Sequence, residues 1–193
     1  NALDWAPRSP VLAAASESVI TVFFCDRQAL KDLARIDAGS WVCSLAFSPD
    51  GRFIAAGMSD TSVRIWAWSG EVLRTKLEGH TGAVNSVAFS VDGNCLVSGS
   101  RDNTMRVWQV DSGRTLFDLG EHGWDVYSVA VSPSGETLAS AGGDNTVRLW
   151  RAADGKLERT LRHEKSVYAV DFSPDGDLLA AGTGEKSITP WQP

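Results

Sequence analysis

Four residue types recur along this chain in one shared register. Trp66, Trp108, Trp150 and Trp191 stand 42, 42 and 41 residues apart. Ser48, Ser90, Ser132 and Ser173 each open an S-x-x-G segment at the same intervals. His80, His122 and His163 follow at 42 and 41, and Asp60, Asp102 and Asp144 each precede their tryptophan by six residues. Glu185 takes the aspartate place in the last copy. The N-terminal region joins the series: Val11 to Phe24 aligns on Phe53 to Trp66, so Phe24 stands in the tryptophan slot. A period of this length means one supersecondary unit repeated in tandem. Each unit has an apolar face that it cannot bury alone.

The stretch from Gly79 to Trp108 shows the unit most clearly. A strand-like run, Val84 to Phe89, leads into Asp92-Gly93. A second run begins at Cys95, a polar turn surrounds Asp102, and a third run ends on Trp108. Asp50-Gly51, Asp92-Gly93 and Asp175-Gly176 suit tight hairpin turns, because glycine accepts positive φ at no steric cost. A fourth run follows each tryptophan: Val72 to Leu77, Thr115 to Leu119, Leu157 to Leu161, and a less regular Ala29 to Ile36 in the first copy. Residues 27 to 36 come closest to a helical pattern, but the register assigns them to an outer strand.

About four strands per ~42 residues is the spacing of a β-propeller blade. Gly79-His80, Ser98-Gly99-Ser100, Asp102 and Trp108, with matching sets in the later copies, resemble the WD-repeat (Trp-Asp repeat) β-propeller family. The Trp-Asp dipeptide itself is absent: Ala67, Gln109, Arg151 and Gln192 fill that slot. The resemblance covers the whole chain and implies an all-β fold. That fold is a propeller of five consecutive blades of four-stranded antiparallel sheet, the last lacking its outer strand. The register bounds them as 1–37, 38–78, 79–120, 121–161 and 162–193. Five blades are fewer than the resemblance leads one to expect, and three outcomes follow. The chain is a piece of a longer propeller, copies assemble edge to edge, or five blades close alone. Pro190, within the last third strand, lacks an N–H and suits an edge.

Composition narrows the function. Lys and Arg number 18 against 24 Asp and Glu, a net charge of −6 with pI near 5.0, and the basic residues are scattered. This argues against nucleic acid as a partner. No apolar run approaches the ~20 residues that span a bilayer, so no membrane partner is expected. Cys25, Cys43 and Cys95 are odd in number and show no C-x-x-C spacing, which reads as reduced thiols and a cytoplasmic location. No cofactor is expected. Gly142-Gly143 is turn punctuation rather than a phosphate loop. The histidines, one per copy, are too far apart to share a metal ion.

His80, Ser98 and Asp102, and again His122, Ser140 and Asp144, invite comparison with hydrolytic triads. The serines fall inside strand runs rather than on exposed turns, and two equivalent sets occur in one chain. The resemblance implies a structural network instead, with Asp holding His, His contacting Ser, and Ser meeting the indole N–H of Trp108 or Trp150. Copy two keeps Asp60 and Trp66 but has Ala38 and Ala56 in the His and Ser slots. Copy five keeps His163 and Trp191 but has Ala181 and Glu185. The loops near each His slot are expected to share one face, where Trp41, Asn85, Arg101, Trp124, Tyr127 and Tyr168 are candidate partner-binding residues. Trp124 and Tyr127 read equally as interface anchors or as packing on a neighbouring blade, and Arg101 as an acidic-partner contact or a solvated charge. The first functional reading is a non-enzymatic scaffold for protein or peptide partners. The second is a propeller segment that self-assembles as a homo-oligomer or completes a larger ring through its exposed edges. An enzyme on a propeller scaffold comes third.

Overall fold

A computed structural model describes residues 2–26, 29–120, 122–185 and 187–193. Asn1 and Glu121, which open two of the expected blades, lie outside the described residues. So do Arg27 and Gln28, in the segment nearest to helix, and Lys186. The described residues form five antiparallel sheets laid down in chain order. Sheet one is β1 (Ala2–Trp5), β2 (Val11–Ser16), β3 (Val19–Cys25) and β4 (Leu30–Asp37). Sheet two is β5 (Val42–Phe47), β6 (Phe53–Met58), β7 (Val63–Ala67) and β8 (Val72–Leu77). Sheet three is β9 (Val84–Phe89), β10 (Cys95–Ser100), β11 (Met105–Gln109) and β12 (Thr115–Leu119). Sheet four is β13 (Val126–Val131), β14 (Thr137–Gly142), β15 (Thr146–Arg151) and β16 (Leu157–Arg162). Sheet five has three strands: β17 (Val167–Phe172), β18 (Leu179–Thr183) and β19 (Ile188–Trp191). One short 3-10 turn, Trp68–Gly70, interrupts the strands. Pro190 sits on the edge strand β19, opposite Ala180.

The turn between the first and second strands of a sheet is wider than a two-residue hairpin. In sheet two the Gly51 N–H bonds the Ser48 carbonyl at 2.8 Å, and Gly51 alone of that turn has positive φ, +72°. Pro49 presets the second turn position, so the left-handed residue falls fourth, not in a paired Asp-Gly turn. The Ser48 hydroxyl donates to Asp50, and the Phe53 N–H donates back to the Ser48 oxygen at 3.0 Å. Ser90 and Ser173 repeat the arrangement with Asp92 and Asp175.

Burial lies between sheets rather than within them. Val42, Leu45, Phe47, Ile54, Met58 and Trp66 of sheet two share a core with Ala13, Ala15, Ile20 and Val22 of sheet one. The other side of sheet two contributes Ala55, Val63, Ile65 and Leu77 to a core with Val84, Val87, Leu96 and Trp108 of sheet three. Sheets three and four meet in the same way, as do sheets four and five. Sheets two, three and four therefore bury an apolar face against each neighbour, and sheets one and five bury one face each.

The first strand of each sheet is an edge strand, with N–H groups that no ladder partner satisfies. The preceding sheet supplies acceptors. The Val87 N–H donates to the Ser44 hydroxyl oxygen at 3.2 Å, Val129 to Ser86 at 3.1 Å, and Val170 to Ser128 at 3.2 Å. At the first junction the Asp4 carboxylate accepts from the Phe47 N–H at 2.7 Å. Burial raises the pKa of this carboxyl.

The innermost strands line one cavity and pack in the order β1, β5, β9, β13, β17. No comparable packing joins β17 back to β1, so the described sheets form an open arc. Two faces are left uncovered. Leu45, Val87, Val129 and Val170 are buried, yet Leu3, in the same slot of sheet one, is 67% exposed. Trp5 is 52% exposed in the slot that buries Phe47. At the other end, Ile188 is 77% exposed in the slot that buries Val147.

Candidate functional site

In sheet three the Trp108 indole N–H donates to the Ser98 hydroxyl oxygen at 2.7 Å, and that hydroxyl lies 2.7 Å from His80 Nε2. His80 Nδ1 lies 2.8 Å from the Asp102 carboxylate. A carboxylate only accepts, so Nδ1 carries the proton and Nε2 accepts from the serine O–H. Every donor in this chain of bonds meets one acceptor. The Thr104 hydroxyl and the Thr81 N–H complete the Asp102 shell at 2.7 and 2.9 Å. Burial raises the pKa of Asp102, but the His80, Thr104 and Thr81 donors outweigh it and hold the carboxyl far below its ordinary range.

Sheet four repeats the arrangement. Trp150 donates to Ser140 at 2.9 Å, Ser140 stands 2.7 Å from His122 Nε2, and His122 Nδ1 lies 3.0 Å from Asp144. Burial pushes the Asp144 carboxyl up, but the Gly123 N–H, the Thr146 hydroxyl and His122 together lower it to about 2. Burial also lowers the pKa of His122, against the pull of Asp144. Ser98 and Ser140 have no exposed surface, and each oxygen already accepts from an indole. No substrate can reach them, so these Ser-His-Asp sets cannot act as hydrolytic triads.

Sheets two and five depart from this pattern. Asp60 accepts from the Ser62 N–H and hydroxyl, and from Arg64, whose guanidinium also donates to the Ala38 carbonyl. An arginine from the third strand thus spans the gap left by the missing histidine. Sequence reasoning missed Arg64, although Arg64, Arg106 and Arg148 share a slot two residues before each tryptophan. In sheet five the His163 and Trp191 rings pack edge to face with centroids 5.7 Å apart. His163 Nε2 and Trp191 Nε1 are buried without a hydrogen-bond partner, because Ala181 replaces the serine.

The His-Asp turns present one face of the arc. The slot just after each histidine is Gly82 in sheet three and Trp124 in sheet four, and a turn residue packs against each. A Cβ on Gly82 would stand 2.6 Å from the Asp102 nitrogen, and one on Gly143 would stand 2.5 Å from the Trp124 ring. The large partner therefore changes sides: Arg101 over Gly82 in one sheet, Trp124 over Gly143 in the next. Trp124 remains 60% exposed. The Tyr127 ring also borders Gly143 and packs on Tyr168 of sheet five with centroids 5.2 Å apart. The Arg101 Nε donates to the Asn85 side-chain oxygen at 3.2 Å, and the Asn85 amide donates to the Val126 carbonyl across the sheet junction. Trp124, Tyr127 and Tyr168 form one aromatic group, with Asn85 and Arg101 beside it. Trp41 of sheet two is exposed, and its carbonyl accepts from the Ser59 N–H.

Among the described residues, no group of three or more His, Cys, Asp or Glu side chains is placed to hold a metal ion. No helix among them is long and apolar enough to cross a membrane.

Antiparallel sheets stacked around a common cavity, with a histidine–aspartate turn repeated from one to the next, define a β-propeller repeat protein. Residues 31–67, 70–109, 113–151 and 155–189 match the family model described as WD domain, G-beta repeat, and the chain belongs to that family. It is also similar to Cell division cycle 20.1, cofactor of APC complex, of Arabidopsis thaliana. The two are 33% identical over 88 residues, which cover 45% of this chain and 19% of that protein. The match thus spans under a fifth of the relative's length.

The two ends of the network series give opposite expectations. His122→Ala leaves Ser140 and Asp144 without their buried partner and is expected to lower stability by about 1–3 kcal/mol. Ala181→Ser supplies the missing hydroxyl between Trp191 and His163 and is expected to raise stability by about 1 kcal/mol. Urea titration of both variants measures the shifts; equal midpoints for all three proteins would contradict the assignment.

Proposed function

We propose that this protein is a non-enzymatic platform that binds a protein or peptide partner on the face formed by its His-Asp turns. The aromatic group of Trp124, Tyr127 and Tyr168 carries this reading. Exposed, rigid aromatics gathered on one face are the usual anchors of an interface. Gly143 gives the indole its seat and His122 fixes the loop behind it, so the anchor is preorganised rather than ordered on binding. Asn85, Arg101 and Trp41 extend the face towards sheets three and two. Membership of a repeat family built for extended surfaces supports the same reading, as does the cofactor role in the name of the Arabidopsis relative. A partner of that kind acting in the cytoplasm is the corresponding proposal for this chain. Quantitative affinity capture tests it. Replacing Trp124 and Tyr127 together by alanine is expected to reduce capture of the partners enriched by the wild type at least tenfold. Unchanged capture would overturn the assignment of this face.

A second reading is that the segment completes a larger ring or associates with further copies of itself. The exposure of Leu3, Trp5 and Ile188, in slots buried elsewhere in the same molecule, favours it. The open face of sheet five has the character of a face that covers the next sheet. That of sheet one has the character of a face that is covered by the sheet before. Such a contact is head to tail. Light scattering across a hundredfold concentration range is expected to show a mass that rises above 20.7 kDa. A constant monomer mass would remove self-association.

A further inference from the structure

The edge N–H groups of the inner strands are met in two different ways along the arc. At the second, third and fourth junctions a serine of the preceding sheet accepts them: Ser44, Ser86 and Ser128. At the first junction that slot is Ala2, and Asp4, two residues on, accepts the Phe47 N–H through Oδ2 instead. The slot of Asp4 is alanine in the three sheets that use serine: Ala46, Ala88 and Ala130. Sheet five repeats the arrangement of sheet one, with Ala169 in the serine slot and Asp171 in the aspartate slot. The strand register agrees, because Asp171 pairs with Ala180 on β18 as Asp4 pairs with Ala13 on β2.

Asp4 makes two bonds: it accepts the N–H of the next residue, Trp5, and sends its other bond forward to Phe47. Asp171 makes the first of these, accepting the Phe172 N–H at 2.9 Å through Oδ1. It is exposed, and among the described residues its Oδ2 has no partner. The apolar slots around it are open in the same way. Ala139, Val147 and Leu149 of sheet four are buried against sheet five. Their counterparts in sheet five, Ala180, Ile188 and Pro190, are exposed. Sheet five thus has the apolar face and the forward acceptor with which a sheet of this chain covers the one after it. Sheet one has the matching half. Leu3 and Trp5 stand exposed in the slots of Val87 and Phe47, whose N–H groups receive the forward bonds at other junctions.

We infer that the open face of sheet five is a docking site for sheet one of a second copy of this chain, with Asp171 as its polar anchor. This names the occupant for the second reading of function, on which it rests. Both halves of a fifth junction are present in one chain, and the open arc holds them apart. A second copy brings them together. Leu3 and Trp5 of that copy then cover Ala180, Ile188 and Pro190, which removes apolar surface from water on both sides. Asp171 Oδ2 lies opposite the Trp5 N–H, the counterpart of Phe47, which it shares with Asp4. The contact uses different surfaces on the two copies, so each copy keeps one free end for a further junction. The aromatic face of Trp124 takes no part in it.

Complementation between two blocked variants tests the junction. Leu3→Glu blocks sheet one and leaves sheet five intact, and Ile188→Glu does the reverse. Both residues are exposed in the single chain, and unchanged circular dichroism and melting report that each variant keeps its fold. In analytical ultracentrifugation each variant alone is expected to associate at least tenfold more weakly than the wild type. An equimolar mixture is expected to form a complex of one copy of each, through the one intact pair of faces. Asp171→Ala is expected to weaken association of the wild type at least threefold. A mixture that stays at the monomer mass, or variants that associate as the wild type does, would overturn this junction while leaving self-association itself standing. Association unchanged in Asp171→Ala would overturn the role of the carboxylate. A wild type that is monomeric at every concentration would overturn both the junction and the reading on which it rests.

Discussion

A sheet of three or four short strands with apolar faces has no stable existence alone, and in this chain every covered face is covered by a sheet adjacent in sequence. The core is accordingly divided into four slabs, one for each junction between the five sheets. Each slab draws its residues from the front of one sheet and the back of the next. The edge N–H groups of the inner strands make the same demand in polar form. Ser44, Ser86 and Ser128 meet it, each reaching forward by one sheet. Stacking also sets the small-residue positions. A Cβ on Gly57 would stand 2.8 Å from the Val84 carbonyl oxygen, so close approach of neighbouring sheets leaves no room there.

The bonds among Trp, Ser, His and Asp act on this frame by fixing what projects from it. In sheets three and four they run from a buried indole through serine and histidine to the carboxylate that holds the turn, and every proton has an acceptor. The loop that follows the histidine is tied to the same carboxylate through the Gly123 N–H, and Trp124 on it stands 60% exposed. Where the histidine is missing, Arg64 ties Asp60 to the Ala38 carbonyl by another route. Where the serine is missing, the ring contact of His163 with Trp191 remains and two buried nitrogens go without partners.

Much of the strand layout was legible in the sequence because the repeat supplies several independent readings of each element. Val84 to Phe89, Val72 to Leu77 and Thr115 to Leu119 coincide with β9, β8 and β12. The second strand of sheet three runs two residues past the expected end at Ser98, since Gly99 and Ser100 also pair as strand residues. The turns are longer than the Asp-Gly pairs suggest: in each, positive φ falls on the glycine alone, whose N–H bonds the carbonyl of the serine three residues before it. The forward-reaching serines and the third-strand arginines are equally periodic, but their partners lie on another strand or in the next sheet, and no local pattern indicates them.

If neighbour stacking supports the molecule, protection should depend on how many neighbours a sheet has. Native-state hydrogen exchange resolved by residue measures this directly. The account predicts the greatest protection in β10, β11, β14 and β15, where both faces are covered and the hydrogen-bonded network is complete. Protection should fall stepwise towards β2 and β18, at the open ends of the arc. Uniform protection across the five sheets, or protection greatest at either end, would contradict it.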